Sequence, residues 1–152
     1  FLPPMLAHGE SAHVVNTPSV AGLLAGCGAY GMTKHAVVSL SESLLFDLRQ
    51  RGSRIGVSCL CPGLVNTSIA QRHPKRPESA AEKEYRERIE RVTRERGLAP
   101  ESVADAVVEG IREGSFYLLP GCGEPEREGL RERHKAILEG RQPPAPPLPS
   151  GC

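Results

Sequence analysis

Two short apolar stretches, separated by a long amphipathic one, dominate the first sixty residues of the chain. Residues 13–17 and 54–61 are apolar or β-branched and each run ends in a turn, so they predict two buried strands. Between them, apolar side chains recur at helical spacing from Tyr30 to Arg51, and Gly52 ends the predicted helix. The recurring positions are Thr33, Val37, Leu40, Leu44 and Leu48. Strand, long helix and strand in this order predict a parallel βαβ unit.

Downstream of this unit, the pattern predicts further helices and one more strand. The predicted elements are a polar loop over 68–79, a charged helix over 79–96, a helix over 100–114, a strand over 116–119 and a helix over 125–139. In the last helix we expect Leu130, Ile137 and Leu138 to face inward, and in the last strand we expect Tyr117 to pack in the core. The first residues of the chain indicate the end of an element that precedes the first strand.

Composition places the chain among ordinary globular domains and excludes several classes of function. The 152 residues are 39% hydrophobic and 24% charged, which is enough for one domain with one core. Nineteen basic and 18 acidic residues leave a net charge of +1, which argues against a nucleic-acid surface or a polybasic membrane surface. No apolar run reaches the roughly 20 residues of a membrane helix. We therefore expect a cytoplasmic protein with neither nucleic-acid nor membrane partners.

The cysteines predict thiols rather than cross-links. The chain holds Cys27, Cys59, Cys61, Cys122 and Cys152. An odd number in a chain of this size favours free cysteines in a reduced core. Cys59 and Cys61 are two residues apart in a predicted strand, so their side chains share one face. Without a Cys-x-x-Cys pair or a histidine cluster, the sequence predicts no metal site.

The last ten residues, 143–152, contain five prolines and predict an extended or disordered tail. Their Pro-x-x-Pro spacings leave an SH3-type domain as an alternative partner for this tail.

The most informative local feature is Tyr30, which stands four residues before Lys34 at the start of the long helix. Side chains at this spacing share one face. A lysine ammonium beside a phenol stabilises the phenolate, so the phenol can exchange a proton near neutral pH. Ser19 follows the first predicted strand, and the turn at 62–67 follows the second. Because ligands of an open parallel sheet bind at the carboxyl ends of its strands, we expect these groups to converge on one crevice.

These residues, in this order, resemble the short-chain dehydrogenases/reductases. The resemblance rests on Asn16-Thr-Pro-Ser19-Val-Ala-Gly22, Tyr30-Gly-Met-Thr-Lys34 and Pro62-Gly-Leu-Val-Asn-Thr67. It implies an oxidoreductase that uses NAD or NADP to interconvert an alcohol and a ketone or aldehyde. The implied partners are a small alcohol or carbonyl substrate and further copies of the chain, in a dimer or tetramer.

The resemblance also implies a role for each matching residue. Tyr30 would be the general acid and base, Lys34 would tune Tyr30 and bind the nicotinamide ribose, and Ser19 would orient the substrate oxygen. The residues that would bind cofactor are Tyr30, Lys34, Pro62, Gly63, Val65 and Thr67.

The fold that the resemblance implies is α/β, namely the C-terminal half of a Rossmann-type, doubly wound parallel sheet without its nucleotide-binding half. Residues 1–142 would form this half domain, with a substrate lid at 68–98. The Gly-rich dinucleotide fingerprint does not occur in the sequence, and the connection from Ser19 to Tyr30 is slightly shorter than is usual in the family. We therefore expect an incomplete fragment that is inactive alone.

Two other functions compete with this interpretation. A truncated, non-catalytic relative could keep the fold as an interaction module, and the missing cofactor residues favour it. A serine hydrolase on an α/β sheet is disfavoured, because the chain has no Gly-x-Ser-x-Gly motif.

Overall fold

The computed structural model describes residues 1–71 and 77–145, in which three parallel strands form a sheet in the order β1-β2-β3. The strands are β1 (Ala12–Asn16), β2 (Ile55–Leu60) and β3 (Tyr117–Leu118). The helices are α1 (Leu2–His8), α2 (Gly28–Gln50), α3 (Ala80–Arg96), α4 (Pro100–Glu113) and α5 (Glu124–Leu138). Short 3-10 turns lie at Val20–Gly22 and Ser68–Gln71. The predicted α/β class and the parallel βαβ unit are confirmed.

One face of the sheet is covered by α1 and α2. Ala12 pairs with Ile55 and Asn16 with Cys59, so alternate residues of β1 and β2 face the same side. On this side Leu48 of α2 packs against Ile55 and Val57, and the apolar side of α1 closes the cluster. Leu48 is only 1% exposed, and burying a leucine contributes about 1.5–3 kcal/mol.

The predicted inward face of α2 is partly wrong. Leu40 is 63% exposed, whereas Val38, Ser41 and Leu48 are the buried side chains that α2 turns to the sheet. Leu40 comes two residues after Val38, so it lies about 200° further round the helix. Ser41 tolerates burial because its hydroxyl donates to the Val37 carbonyl at 2.7 Å.

Two expectations about the end of the chain are also wrong. Ile137 and Leu138 are 64% and 88% exposed, and Ala136 is the buried residue of α5 instead. Tyr117 is 48% exposed, and its hydroxyl donates to the carboxylate of Glu42 on α2. Apolar periodicity does not distinguish Ala136 from its larger neighbours. It also gives no sign of the hydrogen bond between Tyr117 and Glu42.

The opposite face of the sheet is covered by α4, which makes the sheet doubly wound. Gly110 allows the close approach, because a Cβ there would lie 2.3 Å from Leu118 Cδ2. On this face, hydrogen bonds link β1 to β2 and β2 to the segment that precedes β3. His13 Nε2 lies 2.8 Å from Ser58 Oγ, and Ser58 Oγ donates to the Ser115 carbonyl at 2.7 Å. Because the Ser58 proton goes to Ser115, Ser58 accepts from the His13 N–H.

The predicted role of cysteines in the core is confirmed for the four that the structure describes. Cys27, Cys59, Cys61 and Cys122 are all buried free thiols, and Cys152 lies outside the described residues. The Cys59 and Cys61 sulfurs lie 3.7 Å apart on one face of β2. The hydrogen bond to Cys59, together with burial, raises the pKa of Cys61. Across residues 1–71 and 77–145, no helix has the length and apolarity to cross a bilayer.

The charged helix α3 begins with a reciprocal cap, in which Ser79 and Glu82 each accept from the other's backbone N–H. Along this helix, Glu90 and Arg94 form an ion pair at 2.9 Å. Arg86 instead binds Glu78, which precedes the helix, at 3.1 Å. The sequence also holds a small basic cluster, which lies outside the described residues and consists of Arg72, His73, Lys75 and Arg76.

The partly buried position of His13 predicts a pH-dependent stability. Burial lowers the pKa of His13, so the folded state takes up a proton less readily than the unfolded chain. Stability is therefore fully present above the unfolded pKa of about 6.5 and falls as the pH drops below it. We expect His13→Gln in the full-length protein to flatten the slope of unfolding free energy between about pH 7.5 and 5, measured by urea denaturation. His134→Gln controls for loss of a histidine. An unchanged slope in His13→Gln contradicts the assignment.

Candidate active site

Three turns lie side by side at the carboxyl edge of the sheet, one after each strand. The turn after β1 binds the turn after β2 through the Val20 N–H, which donates to the Pro62 carbonyl at 3.1 Å. The turn after β2 binds the turn after β3 through the Gly63 N–H, which donates to the Pro120 carbonyl at 2.9 Å. Only glycine fits at position 63, because a Cβ there would lie 2.4 Å from the Gly121 carbonyl oxygen. The predicted edge is thus one continuous backbone-linked surface.

Ser19 lies on this edge as the N-cap of the 3-10 turn Val20–Gly22. Its Oγ accepts a hydrogen bond from the Ala21 N–H at 3.2 Å. A hydroxyl that accepts in this way keeps its own proton for another acceptor. The cap therefore fixes the oxygen of Ser19 and leaves a donor on a partly buried side chain at the edge.

The 3-10 turn packs directly on the first turns of α2. A Cβ at Gly22 would lie 2.8 Å from the carbonyl carbon of Lys34, and a Cβ at Gly31 would lie 3.1 Å from the Ala21 oxygen. His35 Nδ1 donates to the Gly22 carbonyl at 2.8 Å. The position of Ser19 relative to α2 is therefore set by backbone contact.

Tyr30 and Lys34 share one face of α2, as their spacing predicts. The Lys34 ammonium lies 5.5 Å from the centroid of the Tyr30 ring. A cation at this distance over a phenol is attracted by the ring electrons. Tyr30 is 56% exposed, so its hydroxyl is open to a ligand. Within the described residues, no hydrogen bond joins the Ser19 and Tyr30 side chains.

The segment after β2 runs beside the linker between α3 and α4. The Leu98 N–H donates to the Leu64 carbonyl at 2.9 Å, and the Asn66 N–H donates to the Leu98 carbonyl at 2.8 Å. In this parallel pairing the N–H and C=O of the intervening Val65 point to the other side. Thr67 is exposed, and its Oγ1 accepts from the Ile69 N–H at 3.4 Å. Val65 and Thr67 thus offer donors and an acceptor at the open edge.

The motifs in the sequence identify the residues on the edge but not the contacts of His35 and Gly22, which join the 3-10 turn to α2. The sequence pattern gives no role to His35, whose ring binds the Gly22 carbonyl. It also gives no role to Gly22 beyond the motif. The feature of the sequence that could have indicated these contacts is the pair of small residues Ala21 and Gly22, which permits a helix to approach the turn closely.

A family model described as short chain dehydrogenase matches residues 1–78, just over half of the chain. The chain belongs to the short-chain dehydrogenase family. Two curated relatives are each 31% identical to this chain. The C alpha-dehydrogenase of a Sphingobium strain is matched over 94% of this chain and 48% of its own length. The 1-deoxy-11-beta-hydroxypentalenate dehydrogenase of Streptomyces arenae is matched over 97% and 48%.

Solved structures agree with this membership. A short-chain dehydrogenase/reductase from Burkholderia phymatum, in complex with NAD, superposes on the chain with a TM-score of 0.85 and 37% identity. That comparison covers 96% of this chain and 55% of the Burkholderia chain. The chain therefore spans about half the length of the relatives that it matches.

The contact at Gly22 predicts that this position tolerates no side chain. We expect Gly22→Ala in the full-length protein to lower the free energy of unfolding by about 1–3 kcal/mol, because its Cβ overlaps the Lys34 backbone. The measurement is urea denaturation followed by circular dichroism. Gly9→Ala is the control, since its Cβ meets open space and only its positive φ of 67° is strained. A loss at Gly22 no greater than that at Gly9 argues against the close packing.

Proposed function

We propose that the protein is an oxidoreductase that uses NAD or NADP to interconvert an alcohol and a ketone or aldehyde. The observation that carries the proposal is the Tyr30–Lys34 pair, which opens α2 directly beside the carboxyl ends of β1 and β2. In open α/β sheets this edge is where ligands bind. Membership of the short-chain dehydrogenase family and the NAD bound to the Burkholderia relative support the same chemistry.

In this proposal Tyr30 moves the proton. Its exposed hydroxyl would take the proton of the substrate alcohol during oxidation and return it to the carbonyl oxygen during reduction. The Lys34 ammonium, 5.5 Å from the ring centroid, stabilises the phenolate that this exchange requires. Lys34 forms no ion pair within the described residues, so its charge is not neutralised by a neighbouring carboxylate.

Ser19 would orient the substrate oxygen. The Ala21 N–H fixes its Oγ, so the hydroxyl proton can point to an acceptor at the edge. A donor fixed in this way polarises a carbonyl and costs little reorganisation during the reaction. The proposal thus gives Ser19 the electrostatic role and Tyr30 the proton transfer.

The residues of the edge have the chemistry that a nicotinamide nucleotide requires. A carboxamide needs a hydrogen-bond donor and an acceptor together, and the Val65 N–H and C=O supply both. Lys34 and Tyr30 would bind the ribose hydroxyls, and Thr67 with the Pro62-Gly63 turn would complete the contact. The bound nicotinamide supplies or accepts the hydride.

The remaining proposals concern the surroundings of the site. Residues 1–142 would form one unit of the domain, and residues 68–98 would form a lid over a small alcohol or carbonyl substrate.

Leu40 and Phe46 leave an apolar surface on α2 that would pack against another copy in a dimer or tetramer. The buried free thiols favour a reducing compartment such as the cytoplasm.

The alternative is a non-catalytic relative that keeps this fold as an interaction module. Turnover decides between the two. Oxidation of cyclohexanol and a panel of other secondary alcohols by the full-length protein, with NAD or NADP, is expected to yield reduced nicotinamide. No turnover of any alcohol or ketone with either nucleotide, in a folded protein, favours the interaction module.

Removal of the phenol hydroxyl tests the proton path. We expect Tyr30→Phe to lower kcat by about a hundred- to ten-thousand-fold, because the general acid and base is lost. The measurement is steady-state turnover together with nucleotide affinity, which should change little. Tyr117→Phe is the matched control, since it removes a hydroxyl that, among the described residues, binds Glu42 alone. Wild-type turnover in Tyr30→Phe excludes the mechanism.

Removal of the ammonium tests the tuning of Tyr30. We expect Lys34→Ala to weaken nucleotide binding and to move the pH optimum of alcohol oxidation upward, because the phenolate loses its stabilising charge. The pH profile of kcat/KM measures the second effect, and Lys135→Ala on the exposed side of α5 is the control. A profile that keeps its position while binding weakens assigns Lys34 to cofactor binding alone.

A further inference from the structure

The connection between Ser19 and Tyr30 is held at its middle by a distant part of the chain. Leu23 closes the 3-10 turn that Ser19 opens, because the Gly22 N–H donates to the Ser19 carbonyl at 3.0 Å and the Leu23 N–H donates to the Val20 carbonyl at 2.9 Å. The Leu23 carbonyl accepts a hydrogen bond from Arg133 Nη1 on α5. These residues are 110 positions apart in sequence. The turn of Ser19 is therefore tied to α5.

Apolar packing brings α5 to this position. Val20, Ala21, Leu24 and Cys27 of the connection form one buried cluster with Cys122, which precedes α5. Leu130 packs against this cluster and lies one helical turn before Arg133. Arg127 Nε donates to the Cys122 carbonyl at 3.2 Å, which fixes the start of the helix. Arg133 therefore lies on a helix that is packed against this cluster, and the packing fixes where its side chain begins.

The guanidinium of Arg133 is available for this contact. It is partly buried, and across residues 1–71 and 77–145 it forms no ion pair. Neighbouring Arg131 differs, since it is exposed and binds Glu124 and Glu128 of its own helix at 2.7 and 2.6 Å. A hydrogen bond from a charged donor to a carbonyl is stronger than one between neutral groups.

We infer that Arg133 is a positioning residue for the active site, which holds the Ser19 turn against α2 by binding the Leu23 carbonyl. The His35 ring donates to the adjacent Gly22 carbonyl at 2.8 Å, so two side chains from different helices bind consecutive carbonyls of this turn. The role of Arg133 in turnover rests on the function proposed above, whereas its hold on the turn does not.

The test uses the full-length protein and three variants. Arg133→Met removes the donor and keeps an apolar stem, Arg133→Lys restores a charged donor, and Arg131→Met is the control on the same helix. Amide hydrogen exchange of residues 20–29 reports on the turn directly. We expect faster exchange confined to this segment in Arg133→Met, partial recovery in Arg133→Lys and wild-type exchange in Arg131→Met.

Kinetics supply the second readout. We expect Arg133→Met to lower kcat by about tenfold and to leave the KM for the nucleotide nearly unchanged, because Ser19 is displaced while the cofactor contacts remain. Arg133→Lys should recover part of kcat. If Arg133→Met loses kcat in proportion to thermal stability, and Arg133→Lys recovers neither, the role of Arg133 is purely structural. That result overturns the inference.

The outcomes separate this inference from the proposed function. Unchanged exchange of residues 20–29 in Arg133→Met overturns the positioning role, as does faster exchange spread over the whole protein. If the exchange result is as expected but the wild-type protein turns over no alcohol with either nucleotide, the hold on the turn stands and the proposed function fails.

Discussion

The contact between Gly22 and the backbone of Lys34 is the constraint on which the site depends. A turn that carries Ser19 and a helix that carries Tyr30 and Lys34 meet at a distance that no side chain at Gly22 would allow. Because both partners are backbone, the approach cannot adjust by a change of rotamer. The relative position of hydroxyl and phenol is therefore decided by the packing of main chain on main chain.

The same principle extends along the carboxyl edge of the sheet. The Val20 N–H binds the Pro62 carbonyl, and the Gly63 N–H binds the Pro120 carbonyl, so each turn is held by its neighbour. The side chains on these turns take no part in those bonds. Ser19 and Thr67 each accept one backbone N–H of their own turn, but the bonds that join the turns do not depend on these side chains. The chemistry of the edge can therefore vary while its shape is kept, and this suits a fold in which substrate-binding segments vary.

Much of this arrangement was predictable from the sequence, because it depends on strong local patterns. The two apolar runs and the long helix gave a parallel βαβ unit, and the spacing of Tyr30 and Lys34 placed them on one face. The rotation of α2 was not predictable in full, since Leu40 fits the apolar stripe and yet lies outside it. Tertiary packing chose Ser41 instead, whose hydroxyl bonds within its own helix and to Asn16. A pattern of apolar residues cannot register a buried serine.

Contacts between distant segments were beyond the reach of local patterns altogether. Nothing near Arg133 distinguishes it from Arg131, two residues earlier, because both are arginines on a highly charged helix. Only the fold separates them, since one binds carboxylates of its own helix and the other reaches Leu23. The connection from Ser19 to Tyr30 spans only residues 20–29, so a displacement at its middle is transmitted to Ser19. Arg133 of α5 binds the Leu23 carbonyl within this connection, so the packing of α5 limits such a displacement.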